Sequence, residues 1–182
     1  SEALVRELAA IKVGPAWDPT SKMGPLVSDQ HRASVLRNLA MGLDQGARIR
    51  FGGRVLEDGE LARGNFLEPA LIEYVSPENL LAKQEVFGPV LSLISVRDAN
   101  QAIEVANSVE YGLAASVFTR DVDEALRFVR ESESGMVHVN HGTNSDAHMP
   151  FGGVKDSGLG AYSIGHSNLE FFTNVKAAYF QG

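Results

Sequence analysis

The 182-residue chain is 44% hydrophobic and 21% charged, with 16 lysines and arginines against 23 aspartates and glutamates and a formal net charge of -7. That size and balance suit one globular domain with a substantial core, and the interspersed acids and bases leave no basic face to track nucleic-acid phosphates. With no cysteine, these residues exclude disulfides, thiolate metal sites and thiol catalysis of their own, and their apolar runs fall far short of the roughly 20 residues that span a bilayer.

The first residues, Glu2 to Ala10, place Leu4, Val5, Leu8 and Ala9 at helical spacing and read as the tail of a helix, with an upstream portion implied. No charged-then-apolar leader pattern opens the chain, so a cytoplasmic location is expected. A loop rich in Gly, Pro and Asp follows from Gly14 to Pro25. Ser28 then caps a helix from about Asp29 to Leu43, with Val35, Leu36, Leu39 and Leu43 on one side and Gly46 placed to stop it. Ala47 to Phe51 alternates like a half-buried strand and ends in a Gly52-Gly53 turn. After a polar loop from Glu57 to Gly64, the stretch Phe66 to Val75 reads as extended. Pro69 cannot donate to a ladder, which favours an edge position for it.

The second half is more regular. Val90 to Val96 reads as a strand, Asp98 opens a helix carrying Ala102, Ile103, Val105 and Ala106, and Ala114 to Thr119 is the next strand. Asp121 or Asp123 starts a helix through Ala125, Leu126, Phe128 and Val129, which Gly135 closes ahead of a strand from Met136 to Val139. Such alternation predicts an α/β fold, a largely parallel open sheet with flanking helices. A last apolar strand is expected from Val175 to Phe180. Neither a repeat nor a linker interrupts the chain, so residues 1–182 read as one domain.

Three segments carry candidate chemistry. In Lys83-Gln84-Glu85-Val86-Phe87-Gly88-Pro89-Val90, an extended backbone would turn residues i and i+2 the same way. Glu85 and Phe87 would then face one ligand, the carboxylate accepting from hydroxyls and the ring packing on a flat heterocycle. The plainer alternative is a turn with Phe87 in the core and Glu85 in solvent. In Met149 to Gly160 the glycines permit close approach of a ligand or another chain, but the order Val154-Lys155-Asp156 is not that of a phosphate-binding loop, and a structural glycine turn is the default. Between them, Asn140 to His148 forms a polar loop at the C-terminal end of a predicted parallel strand, where α/β sheets place their ligands. His138, His141 and His148 raise a metal site, which spacing alone does not support.

Several ordered motifs point further: Met23-Gly24-Pro25-Leu26, Gly46-Ala47, Gly52-Gly53, Glu85-Val86-Phe87-Gly88-Pro89-Val90, Ala106-Asn107, Tyr111-Gly112-Leu113-Ala114, Val139-Asn140, Pro150-Phe151-Gly152-Gly153 and Ser157-Gly158. Through them nearly the whole chain resembles the C-terminal portion of the catalytic domain of the NAD(P)-dependent aldehyde dehydrogenase superfamily. The resemblance implies oxidation of an aldehyde to a carboxylic acid, with NAD or NADP as cofactor. It makes Glu85 a hydrogen-bond partner of the ribose beside the nicotinamide and Phe87 a neighbour of that ring. Thr143, Asn144, Ser145 and Phe151 would border the aldehyde tunnel, Asn140 would organise the site, and Val175 to Phe180 would join a neighbouring subunit's sheet in a homo-oligomer.

The same resemblance implies a cysteine nucleophile, an oxyanion donor and a water-activating glutamate. By the family's motif order, the cysteine and the glutamate belong upstream of Ser1, as does the dinucleotide-binding domain. This chain is therefore expected to be inactive alone and to hold no catalytic residue of its own. A naturally truncated homologue acting as a non-catalytic assembly or regulatory subunit is the alternative.

Overall fold

A computed structural model describes all 182 residues. The chain divides into two compact units, Ser1–Ser95 and Val96–Gly182.

The first unit runs α1 (Glu2–Ala9), α2 (Asp29–Asp44), β1 (Arg48–Phe51), a 3-10 turn (Gly59–Arg63), β2 (Ala70–Glu73), α3 (Leu80–Lys83) and β3 (Val90–Ser92). The start of α2 is set by Ser28, whose backbone is extended and whose Oγ accepts from the His31 N–H at 3.1 Å. Its end is set by Gly46 at φ 98, the left-handed conformation that glycine adopts without penalty. The three strands form one sheet in the order β1-β2-β3. β1 runs antiparallel to β2, with Ile49 opposite Ile72 and an irregularity before Phe51 pairs with Leu71, and β3 runs parallel to β2.

The edge position expected from Pro69 is therefore corrected, because β2 is the central strand. Pro69 lies one residue ahead of the first ladder position, and the ladder begins with the Ala70 N–H, which donates to the Pro89 carbonyl at 2.8 Å. A missing donor just outside a strand costs the sheet nothing. Being central explains the composition of β2, whose Ala70, Leu71 and Ile72 are fully buried. Leu39, Ala47, Ala70, Ile72, Val75 and Leu81 form the core cluster of this unit. Asn79 is the buried polar residue beside it, donating to the Gly42 carbonyl and accepting from the Leu81 N–H, both at 2.9 Å, so its amide is satisfied.

The second unit contains α4 (Ala99–Asn107), β4 (Tyr111–Gly112), β5 (Ala114–Val117), α5 (Val122–Glu131), β6 (Met136–Val139), β7 (Val154–Lys155), a 3-10 turn (Gly165–Ser167) and α6 (Asn168–Phe172). Asp98 caps α4 by accepting from the Gln101 N–H at 2.9 Å. Of the two candidates for α5, Asp121 is the cap, its Oδ1 accepting from the N–H groups of Asp123 and Glu124. β5, α5 and β6 make a parallel strand-helix-strand unit, with Ala114 opposite Met136 and Val117 opposite Val139.

The fold class is thus mixed α/β, with parallel ladders joining β2 to β3 and β5 to β6, and the strands divided among three sheets. Gly135 does not close α5, which ends at Glu131 ahead of an extended Ser132. It opens β6 instead: its N–H donates to the Gly112 carbonyl at 2.9 Å, and a Cβ there would stand 2.1 Å from the Gly152 carbonyl oxygen. Residues 173–182 form no helix or strand within this chain, and Val175, Tyr179 and Phe180 lie in solvent, so the strand expected at Val175 to Phe180 has no partner here. No helix is long and apolar enough to cross a membrane.

Candidate functional site

The Glu85–Pro89 segment leaves α3 and crosses the face of α2. Phe87 sits at φ 56, a left-handed conformation that costs a non-glycine residue about 1–2 kcal/mol. The backbone turns at that residue, so Glu85 and Phe87 are not aligned as an extended chain would align them. The plainer alternative of a core Phe87 is also set aside, since the ring is 73% exposed. Glu85 is exposed as well. Tyr74 shares both properties, with φ 57 and a ring 72% exposed, so what sets Phe87 apart is the cleft it borders and the contacts beneath it.

Three contacts hold the backbone under that ring. His31 Nε2 lies 2.8 Å from the Phe87 carbonyl oxygen, with the two rings 6.1 Å apart. Val35, one helical turn further along α2, fills the space beside Gly88, where a Cβ would stand 2.7 Å from Val35 Cγ2. Pro89 accepts from the Ala70 N–H at the start of β2. One hydrogen bond is worth about 0.5–1.5 kcal/mol net, comparable with the strain at Phe87.

The ring borders a cleft of about 520 Å³ whose walls include the Met23–Leu26 turn, Leu67, Phe87 and Pro89. That turn is braced from behind, where Val13 bridges Met23 and the loop between them is tied by Asp18. Asp18 accepts from Lys12 Nζ at 2.7 Å and from the Thr20 N–H at 2.9 Å. The Lys12 ammonium, followed by the Thr20 donors, holds the Asp18 carboxyl well below the usual carboxylate range.

In the second unit, Asn140 follows β6 at φ 56 and joins two strand ends. Its Oδ1 accepts from the Thr119 N–H and its Nδ2 donates to the Thr119 carbonyl, both at 2.9 Å. Both halves of its amide are thereby used to fix the loop after the strand. A concavity of about 530 Å³ opens there, lined by His138, His141, Asn144, Ser145, Asp146 and Met149 among others. Of the four residues assigned to the aldehyde wall, Asn144 and Ser145 line it. Thr143 is exposed outside the lining, and Phe151 is half-buried, with its carbonyl accepting from the Ser163 N–H at 3.1 Å. The His138 and His141 rings lie 4.9 Å apart, whereas His148 pairs with Asp146 at 2.7 Å. No three His, Cys, Asp or Glu side chains converge as a metal-binding group.

The glycine-rich segment forms a clasp. Lys155, at φ 53, donates to the Asn107 carbonyl at 2.7 Å and the Val109 carbonyl at 3.0 Å and pairs with Glu133 at 2.5 Å. Ser157 Oγ accepts from the Gly112 N–H at 3.1 Å. Asn107 reaches across to the Glu131 carbonyl and the Glu133 N–H. Neither His31 nor Lys155 stands out in the sequence as a site residue. For His31 the available signal is a histidine four residues before a core valine on the helix facing the motif.

Comparison with known proteins establishes the ancestry. The sequence profile described as the aldehyde dehydrogenase family matches residues 1–178. The chain belongs to the aldehyde dehydrogenase family. HpcC from Thermus thermophilus shares 38% identity over 96% of this chain and 34% of its own, with a TM-score of 0.91. Betaine aldehyde dehydrogenase from Staphylococcus aureus, in complex with NAD+, shares 33% identity over 94% of this chain and 34% of its own, with a TM-score of 0.89. A point mutant of that enzyme, in complex with NAD+ and carrying a BME-modified cysteine, gives the same identity and TM-score over 35% of its length. This aldehyde dehydrogenase chain therefore spans about a third of the length of the solved structures it matches.

Proposed function

We propose that these residues form the C-terminal part of the catalytic domain of a cytoplasmic, NAD(P)-dependent aldehyde dehydrogenase that oxidises an aldehyde to a carboxylic acid. The observation that carries the reading is Phe87, an exposed ring on a strained, triply held backbone beside an open cleft. The donor set fits the cofactor: an exposed carboxylate at Glu85 suits ribose hydroxyls, and an exposed ring at Phe87 suits a flat heterocycle. NAD(P), when bound, supplies the electron acceptor for aldehyde oxidation. Glu85 would orient the ribose and Phe87 would limit the tilt of the attached ring. Thr143, Asn144, Ser145 and Phe151 would border the aldehyde, and Asn140 would keep that wall in place.

The chain holds no cysteine, so the nucleophile would come from residues outside it. Purified chain is accordingly expected to give no NAD- or NADP-dependent oxidation of a panel of aliphatic and aromatic aldehydes, followed by absorbance of the reduced cofactor. Turnover by the chain alone would overturn the reading.

The exposed apolar segment Val175 to Phe180 supports assembly into a homo-oligomer by strand addition to a second copy. It also favours one further reading, a naturally truncated homologue acting as a non-catalytic assembly or regulatory subunit. The genomic frame distinguishes the two. A start codon immediately before Ser1 favours the subunit, and a continuous frame encoding a cysteine-bearing domain excludes it.

A further inference from the structure

We propose that His31 is a positioning residue for the cofactor contact, fixing the Phe87 backbone so that its ring stands over the cleft; this rests on the cofactor role proposed for Phe87. A carbonyl oxygen only accepts, so at 2.8 Å His31 Nε2 carries the proton and donates it to Phe87. Nδ1 is then left as an acceptor, and it is buried without a hydrogen-bond partner. An imidazole with one buried nitrogen unsatisfied is a poor choice for packing alone, because an aliphatic side chain would leave nothing unpaired. What the histidine adds at this position is its single bond to Phe87.

The register of α2 makes the contact specific. His31 and Val35 lie one turn apart on the same helix face, and they meet Phe87 and Gly88, which are adjacent in the chain. With Pro89 tied to Ala70 at 2.8 Å, three successive residues are held by their main chain. The Phe87 side chain is the part left free. Removing the His31 bond lets residue 87 relax from φ 56 toward the extended region, and the ring then leaves the cleft in a fraction of molecules.

In the full-length enzyme, His31→Ala and Phe87→Ala are each expected to raise KM for NAD(P) about tenfold while the aldehyde KM holds, and His31→Gln, which keeps an N–H donor, restores most of the loss. The double variant should be no worse than Phe87→Ala, because His31 acts through Phe87. Additive losses, or a His31→Gln variant as impaired as His31→Ala, overturn the inference while the Phe87→Ala effect preserves the cofactor role. An unchanged KM in Phe87→Ala removes the cofactor role and the inference with it. Should His31→Ala fail to fold, the imidazole 15N shifts of the unmodified protein decide the matter: a proton resident on Nε2 is expected, and one on Nδ1 would overturn the proposal.

Discussion

On the cofactor role proposed for Glu85, Glu85→Ala in the proposed full-length enzyme is expected to lower kcat/KM for NAD(P) by about two orders of magnitude, since a carboxylate accepting from two ribose hydroxyls would contribute about 1.5 kcal/mol or more per bond. The exposed position of Glu85 means that the change should leave the fold intact. The loss then belongs to binding and orientation. Steady-state kinetics at saturating aldehyde measure it directly, with the melting temperature as a control. Glu85→Gln, which keeps one acceptor and loses the charge, should fall between the two. An Ala variant with unchanged cofactor kinetics would remove Glu85 from the site.

Gly52→Ala is expected to destabilise the protein by about 4 kcal/mol, combining backbone strain of about 1–3 kcal/mol with a steric clash of similar size. Gly52 adopts φ 71, and a Cβ there would stand 1.8 Å from the Pro69 carbonyl oxygen. That oxygen belongs to the backbone, so no side-chain rotation relieves the contact. Relief requires β1 to move away from β2, which opens the side of the core formed by Ala70 and Ile72. Urea denaturation followed by circular dichroism reads the effect as a shift in midpoint at constant slope. A loss below about 1 kcal/mol would mean that β1 shifts freely at its irregularity near Phe51.

Features decided by neighbours along the chain are legible in the amino-acid sequence. The caps at Ser28, Asp98 and Asp121 are local hydrogen bonds between a side chain and amides two or three residues on, and each forms where its residue type predicts. Strand β6 and the helix before it follow from periodicity in the same way. The expectations that failed depend on distant partners. Pro69 suggests an edge because the rule concerns donors within a strand, and nothing nearby reveals that the ladder starts one residue later. Gly135 looks like a helix stop, whereas the contact that requires it comes from Gly152.

The candidate site divides along the same line. Glu85 and Phe87 stand out through an ordered motif, but the exposure of the ring and its left-handed backbone are invisible in the sequence, because both depend on His31 and Val35 of α2. Asn144 and Ser145 line the concavity beyond β6. Thr143 and Phe151 lie outside it, since a loop of small polar residues carries no periodicity from which to read its register.

The clasp around Lys155 bears on the order of events during folding. Its bonds to Asn107 and Val109 join residues 48 and 46 positions apart, and the Ser157 bond to Gly112 spans 45. Closing a loop of that length is entropically costly until β5, α5 and β6 have shortened the path between its ends. The clasp is therefore expected to close after the rate-limiting barrier, so that the free energy it contributes would slow escape from the native state without hastening arrival. Lys155→Met should accordingly raise the unfolding rate in stopped-flow measurements and leave the refolding rate nearly unchanged. The glycine-rich segment would then act as a latch whose value to the molecule is its persistence.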